Sequence, residues 1–176
     1  MMKEYDLNQL LNEPKKVEEL INSLLQKELI QKQASDKAEI EGHLLKANHN
    51  LRFVSQTKAE FYDWAVTGCY YACYHSALAL IMTKGYFSKN HLATLCLLIK
   101  HFYKKELNRE DFEILSRFLD YQDILFYVES KNKREDAAYS TKILFQKEEV
   151  NQLKINQLKI KAALFVDKIH QIITQK

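Results

Sequence analysis

The sequence predicts an all-α fold, an up-and-down helical bundle, from three observations. Only three glycines and one proline punctuate 176 residues, so there are few points at which a helix must stop. Leu, Ile, Lys, Glu and Gln, which suit helices or their packed faces, recur throughout. Apolar residues also return at alternating three- and four-residue steps over long stretches, the period of a helix with one buried face. A chain of this length is expected to form one domain, residues 1–176, burying about two-thirds of its unfolded surface without disulfides or metal.

Each helix has its own signals. Pro14 suits a first helical turn, where a missing N–H costs nothing, and Val17, Leu20, Ile21 and Leu24 mark one face of a helix expected over 14–33. Ser35, followed by Glu39 and the series Ile40, Leu44, Ala47, Leu51, Val54, predicts a second amphipathic helix ending near Ser55. A third is expected over 58–84. Its seam is Trp64, Gly68, Tyr71, His75, Leu78 and Met82, beside a small-residue strip of Gly68, Ala72, Ser76 and Ala79 that lets a neighbouring helix come close. Gly85 then supplies a residue able to take the left-handed conformation that stops a helix.

Ser88 or Asn90 can cap a fourth helix carrying Leu92, Leu95, Leu98, Ile99 and Phe102. Asn108 with Asp111 opens a fifth, expected to reach about Tyr127, and a sixth is expected from about Arg134. The last begins near Glu148. Its series Ile155, Leu158, Ala162, Phe165, Ile169, Ile172 is an a/d seam that fits either the bundle or a second copy.

Cys69, Cys73 and Cys96 are an odd set inside apolar runs, which points to a reducing cytoplasm rather than a secreted disulfide framework. The acidic residues near the N-terminus do not resemble a signal peptide. The most apolar stretch, Ala65 to Met82, carries His75, Ser76 and several tyrosines, so it reads as a buried helix and not a membrane span. Charge is uneven: about −1 over residues 1–88 and about +4 over 89–176, counting Lys and Arg against Asp and Glu.

Tyr70-Tyr71-Ala72-Cys73-Tyr74-His75-Ser76-Ala77-Leu78-Ala79-Leu80, then Lys84-Gly85-Tyr86, then Lys89-Asn90-His91 resembles the central signature of the HEPN superfamily, YYAxFHxAxALL followed by Gly and KxH. Arg134-Glu-Asp-Ala137-Ala138-Tyr139 resembles that family's RxxADY element, with Ala138 where Asp is usual. These motifs cover about residues 62–140, and the helix over 14–33 stands outside them as an N-terminal extension. The resemblance implies a bundle of four or five core helices, usually dimeric, with a polar cleft that meets RNA or nucleotides. It also implies a possible partner, since many members are encoded beside a minimal nucleotidyltransferase, and several act in toxin–antitoxin or defence systems. In the catalytic branch an Arg and a His separated by four to six residues cut RNA without metal.

This chain departs from that branch. None of Arg52, Arg109, Arg117 and Arg134 has a His five to seven positions downstream, and Tyr139 stands where the His counted from Arg134 would be. With a pKa near 10, Tyr exchanges a proton poorly at neutral pH, whereas His does so readily.

The site residues this implies are Arg134 and Tyr139 for any catalysis, and Tyr71, His75, Lys89, His91 and Arg134 for RNA or nucleotide. Each has a plainer reading. His75 fits a core histidine bonded to a neighbour; Lys89 and His91 fit an ordinary turn, although a helix N-terminus there favours anions; Arg134 fits a solvated helix start, although its guanidinium suits phosphate. Lys100, His101, Lys104 and Lys105 fit helix capping and solubility. Cys69, Cys73 and His75 supply too few ligands for zinc, so no metal is expected, and no motif for a cofactor is present.

Three functions are therefore weighed: an RNA- or nucleotide-binding HEPN-like protein, non-catalytic or weakly active, that works with a nucleotidyltransferase or other partner; a metal-independent ribonuclease toxin; and a purely structural helical interaction module.

Overall fold

The computed structural model describes residues 6–57, 59–116 and 148–175, and it is the predicted all-α architecture. The helices are α1 (Leu7–Asn12), α2 (Pro14–Gln26), α3 (Lys37–Gln56), α4 (Tyr62–Met82), α5 (His91–Phe102), a helical stretch α6 over residues 109–116, and α7 (Glu148–Thr174). Two three-residue strands, β1 (Ile30–Lys32) and β2 (Tyr86–Ser88), pair antiparallel with Ile30 opposite Ser88 and Lys32 opposite Tyr86. The sixth helix expected from Arg134, and the fifth beyond residue 116, lie outside the described residues.

The helix expected over 14–33 stops at Gln26 instead. Glu28 turns left-handed at φ 55°. The Leu29 amide donates to the Leu24 carbonyl at 2.9 Å and the Glu28 amide to Leu25 at 3.0 Å, the paired bonds that close a helix end. The usual sign of such an end is glycine, which is absent here, so the sequence hid the turn. Freed from the helix, residues 30–32 pair with β2.

Helix starts show a similar economy. Asp36, not Ser35, caps α3, its carboxylate accepting from the Ala38 amide at 2.8 Å. Asn90, not Ser88, caps α5 through Ala93 at 2.8 Å. Ser88 stays in β2, where its hydroxyl bonds that of Thr94 at 2.6 Å. At α6 the Asp111 amide donates to the Asn108 side chain at 3.1 Å while Asp111 Oδ2 accepts from the Asn108 amide at 2.7 Å, a reciprocal capping box. The helix expected from residue 58 begins at Tyr62, after a single 3₁₀ turn over Ala59–Phe61.

The core lies around α4. Helix α3 runs antiparallel to it, as His43 meets His75 near one end and Val54 approaches Gly68 near the other. The small strip works as predicted: Ala72, Ser76 and Ala79 are fully buried, and a Cβ on Gly68 would stand 2.5 Å from Val54 Cγ2 and 3.1 Å from Phe53. On one side of this pair α7 packs Val166 onto Ala47 and Ala72, and the residues Ile155, Ala162, Phe165, Ile169 and Ile172 are buried there. The a/d seam of the last helix is thus spent inside the bundle. Helix α5, buried from Ala93 to Ile99, joins α1 and α2 in the same apolar cluster. Each fully buried Leu, Ile or Phe contributes about 1.5–3 kcal/mol relative to exposure.

The three cysteines are free and buried. Burial pushes the Cys69 and Cys96 thiols up to about 12 and Cys73 upward as well, so at neutral pH they are small apolar groups and not nucleophiles. Among the described residues no helix is long and apolar enough to cross a membrane.

Candidate functional site

Helix α4 places its aromatic and histidine side chains in two adjacent rows. Tyr70 and Tyr74, one turn apart, look toward α5. Their rings stack at 5.7 Å and both meet the His91 ring edge-on, at 5.4 and 5.1 Å. The Tyr70 hydroxyl and His91 Nε2 share a hydrogen bond of 2.6 Å. Burial raises the Tyr74 pKa, and a hydrogen bond with Thr94 partly offsets this. The two halves of the signature, well apart in sequence, therefore meet in space, because β1 holds β2 and the Lys89 amide donates to the Leu29 carbonyl at 2.9 Å. The Lys89 side chain itself is exposed.

Tyr71 and His75 form the second row, turned toward α3. Their rings stack at 6.2 Å, and His75 Nδ1 lies 2.9 Å from His43 Nδ1. One ring must present N–H and the other a lone pair, so this contact tolerates a single proton between the two nitrogens. Burial, then His43 and Lys46, push the His75 pKa down to about 4. His43 is lowered by burial and by Lys46, with Glu39 opposing. The rows touch where the Tyr70 and Tyr71 rings meet at 4.8 Å.

His75, Tyr71 and His91 thus belong to one array around α4, with Lys89 at its rim. The plain reading of His75 as a core histidine bonded to a neighbour is met in the bond and not in the burial, since the ring is only half-buried. Its partner His43 is a residue that the sequence did not single out and becomes visible only once the register of α3 against α4 is known. Arg134 and Tyr139 lie outside the described residues. The cluster Lys100, His101, Lys104, Lys105 sits at the α5 terminus, where Lys105 Nζ donates to the His101 carbonyl at 3.3 Å, the capping role expected of it. Among the described residues no group of three or more His, Cys, Asp or Glu is arranged to hold a metal ion.

The chain is 33% identical over 119 residues, 66% of its own length and 73% of the relative's, to a protein of Methanocaldococcus jannaschii named "Putative toxin MJ0142". It belongs to that protein's family. No family model matches the chain and no solved structure matches it.

The neutral His43–His75 pair sets a pH dependence within this family member. Both folded-state pKa values lie below the ordinary 6.5, so between about pH 6.5 and 4 the unfolded chain binds more protons than the folded one. Stability contributed by the pair is present above pH 6.5 and is lost as pH falls toward 4. Both rings are half-exposed, and after allowance for solvent screening the loss is about 1–2 kcal/mol. Urea unfolding at pH 7.5 and 4.5 should show it in the native protein, and the drop should shrink in His75→Gln; an equal drop in both proteins would rule the pair out as its source.

Proposed function

We propose that this chain is a HEPN-like member of a toxin family that binds RNA or nucleotide, acts with a nucleotidyltransferase or other partner, and cuts RNA slowly or not at all. The observation that carries the reading is the meeting of Tyr70–His75 with the Lys89–His91 segment through the Tyr70–His91 hydrogen bond, which makes one array of two motifs that are separate in the sequence. Kinship with a protein named a toxin favours the toxin context. Weak cleavage follows from chemistry, since activating a ribose 2′-hydroxyl needs a base with a pKa near neutral. His75 is held well below that range, His91 is engaged by Tyr70, and Tyr139 replaces the histidine of the catalytic branch.

The test is incubation of purified protein with labelled RNA, without metal, beside Arg134→Ala. Little or no cleavage, together with binding that weakens as salt rises through counterion release, is the expected result. Robust metal-independent cleavage abolished by Arg134→Ala would instead establish the ribonuclease toxin. No binding at low salt would leave the structural interaction module.

A homodimer is part of this proposal. With the a/d seam of α7 buried, the surface open to a second copy is Leu153, Ile160 and Leu164, spaced seven and four and about 60% exposed. Sedimentation at micromolar concentration should give the dimer mass, and Leu164→Glu should return it to the monomer.

A further inference from the structure

Where the end of α3 meets the 3₁₀ turn and the start of α4, an open groove has an unusual lining. Phe53, Phe61 and Trp64 are 45, 51 and 63% exposed. With Gln56 and Thr57 they enclose a cleft of about 590 Å³, within the ordinary range for a ligand site. Large aromatic rings left this open form a patch that calls for a partner. Tyr71, 40% exposed, lies two turns along α4 from Trp64, about 10 Å at 1.5 Å per residue, and continues the row toward His75 and His43.

The charge of this face identifies the partner. From His43 to Thr57 the chain has no Asp or Glu, but has Lys46 and Arg52 with Asn48, Asn50 and Gln56; from Trp64 to Met82 it has no charged residue at all. Lys46 lies close enough to depress both histidines. Arg52 is exposed one turn before Gln56, in the same row of α3. Glu60, which is exposed, and Asp63 both stand in the chain just before Trp64, which limits anions to the α3 side of the groove. A ligand matched to it therefore has flat apolar faces spaced along a chain and negative charge on one side. A duplex hides its base faces, and an apolar helix has no use for the cations.

We propose that this groove binds single-stranded polynucleotide, with bases stacked on Trp64, Phe61 and Phe53 and the phosphates beside Lys46 and Arg52. This rests on the RNA-binding reading above and adds to it the place and the strandedness. Stacking accepts any base, so the groove has little sequence preference, and each stacked base is worth about 1–3 kcal/mol by alanine substitution.

Trp64 is the only tryptophan in the chain, so its emission reports the groove directly. The protein is titrated at low salt with short oligouridylate, with oligothymidylate and with an RNA duplex of the same length, following Trp64 emission; variants are followed by anisotropy of labelled oligonucleotide. The expected result is quenching by single strands and not by duplex, about tenfold or greater loss of affinity in Trp64→Ala and again in Phe61→Ala, and a shallower salt dependence in Lys46→Gln. Both rings are exposed, so circular dichroism should remain native. A preference for oligouridylate over oligothymidylate assigns the source to RNA, and equal binding assigns it to single strands of either kind. Oligonucleotide binding with Trp64 emission and Trp64→Ala affinity unchanged overturns the proposal and leaves the RNA-binding reading intact. Equal binding of duplex also overturns it. Absence of any binding at low salt removes both, and a Trp64 emission shift that follows protein concentration alone would make the groove a contact between copies.

Discussion

Gly68→Leu should cost about 3 kcal/mol of stability, the upper part of the range for overpacking a filled interior. The reason is already visible at the first added atom, since a Cβ at this position would stand 2.5 Å from Val54 Cγ2. Val54 is buried and β-branched, with χ1 locked in its helix, and Phe53 closes the other side at 3.1 Å. The half-exposed Phe53 ring can turn outward but Val54 cannot step aside, so α3 must move away from α4. Gly68→Ala sets a lower limit on the effect. Alanine gains about 1 kcal/mol of helix propensity over glycine, and the clash should still leave a net loss. Urea unfolding of the two variants would measure both values, and a stabilised Gly68→Ala would mean that the helices are free to separate. The same shift would carry His43 away from His75 and change the groove that runs above Gly68.

Asp111→Ala should cost about 2–3 kcal/mol, because one carboxylate serves two structures. Asp111 Oδ2 accepts from the Asn108 amide at 2.7 Å to close the α6 capping box, and from Lys168 Nζ of α7 at 2.5 Å. Loss of a helix cap is worth about 1 kcal/mol. The ion pair adds to this because Asp111 is nearly buried, while Lys168, one-third exposed, keeps some water and softens the penalty. Thermal unfolding of Asp111→Asn beside Asp111→Ala would separate the two contributions: Asn retains an acceptor for the cap but not the charge. If the variants were equally unstable, the ion pair would carry all of the loss; if Asn were native-like, the cap would.

What the sequence revealed divides along physical lines. Periodicity found α3, α4, α5 and α7, because each buries a continuous face and the apolar spacing records it directly. Pro14, Gly85 and the Asn108–Asp111 pair marked boundaries correctly, since each has a backbone or capping role that few other residues can fill. The end of α2 was missed because Glu28 adopts a conformation usually left to glycine, held by two backbone bonds that no side chain announces. Part of the array around α4 was legible through the family resemblance, whose matched motifs contain Tyr71, His75 and His91. Their contacts were not. Tyr70 and His91 meet only after β1 and β2 have paired, and His43 reaches His75 only through the register of two helices. Trp64 was read on one seam with Leu78 and Met82, yet that seam drifts around α4, so Leu78 and Met82 are buried while Trp64 is open.

The β1–β2 ribbon has a consequence for how this chain can tolerate changes in length. In a strand pair a one-residue slip exchanges the two faces. An insertion or deletion between Leu24 and Ile30 would therefore be felt some sixty residues downstream, at Ser88 and its bond to Thr94, and next at the turn that presents His91. The closing turn at Glu28 allows no slack, because Leu29 is already committed to Leu24 through its amide and to Lys89 through its carbonyl. Length variation in this part of the chain is thus coupled to the signature loop, whereas the exposed Ala34 and Ser35, between Gln33 bonded to Gly85 and the Asp36 cap, can absorb it.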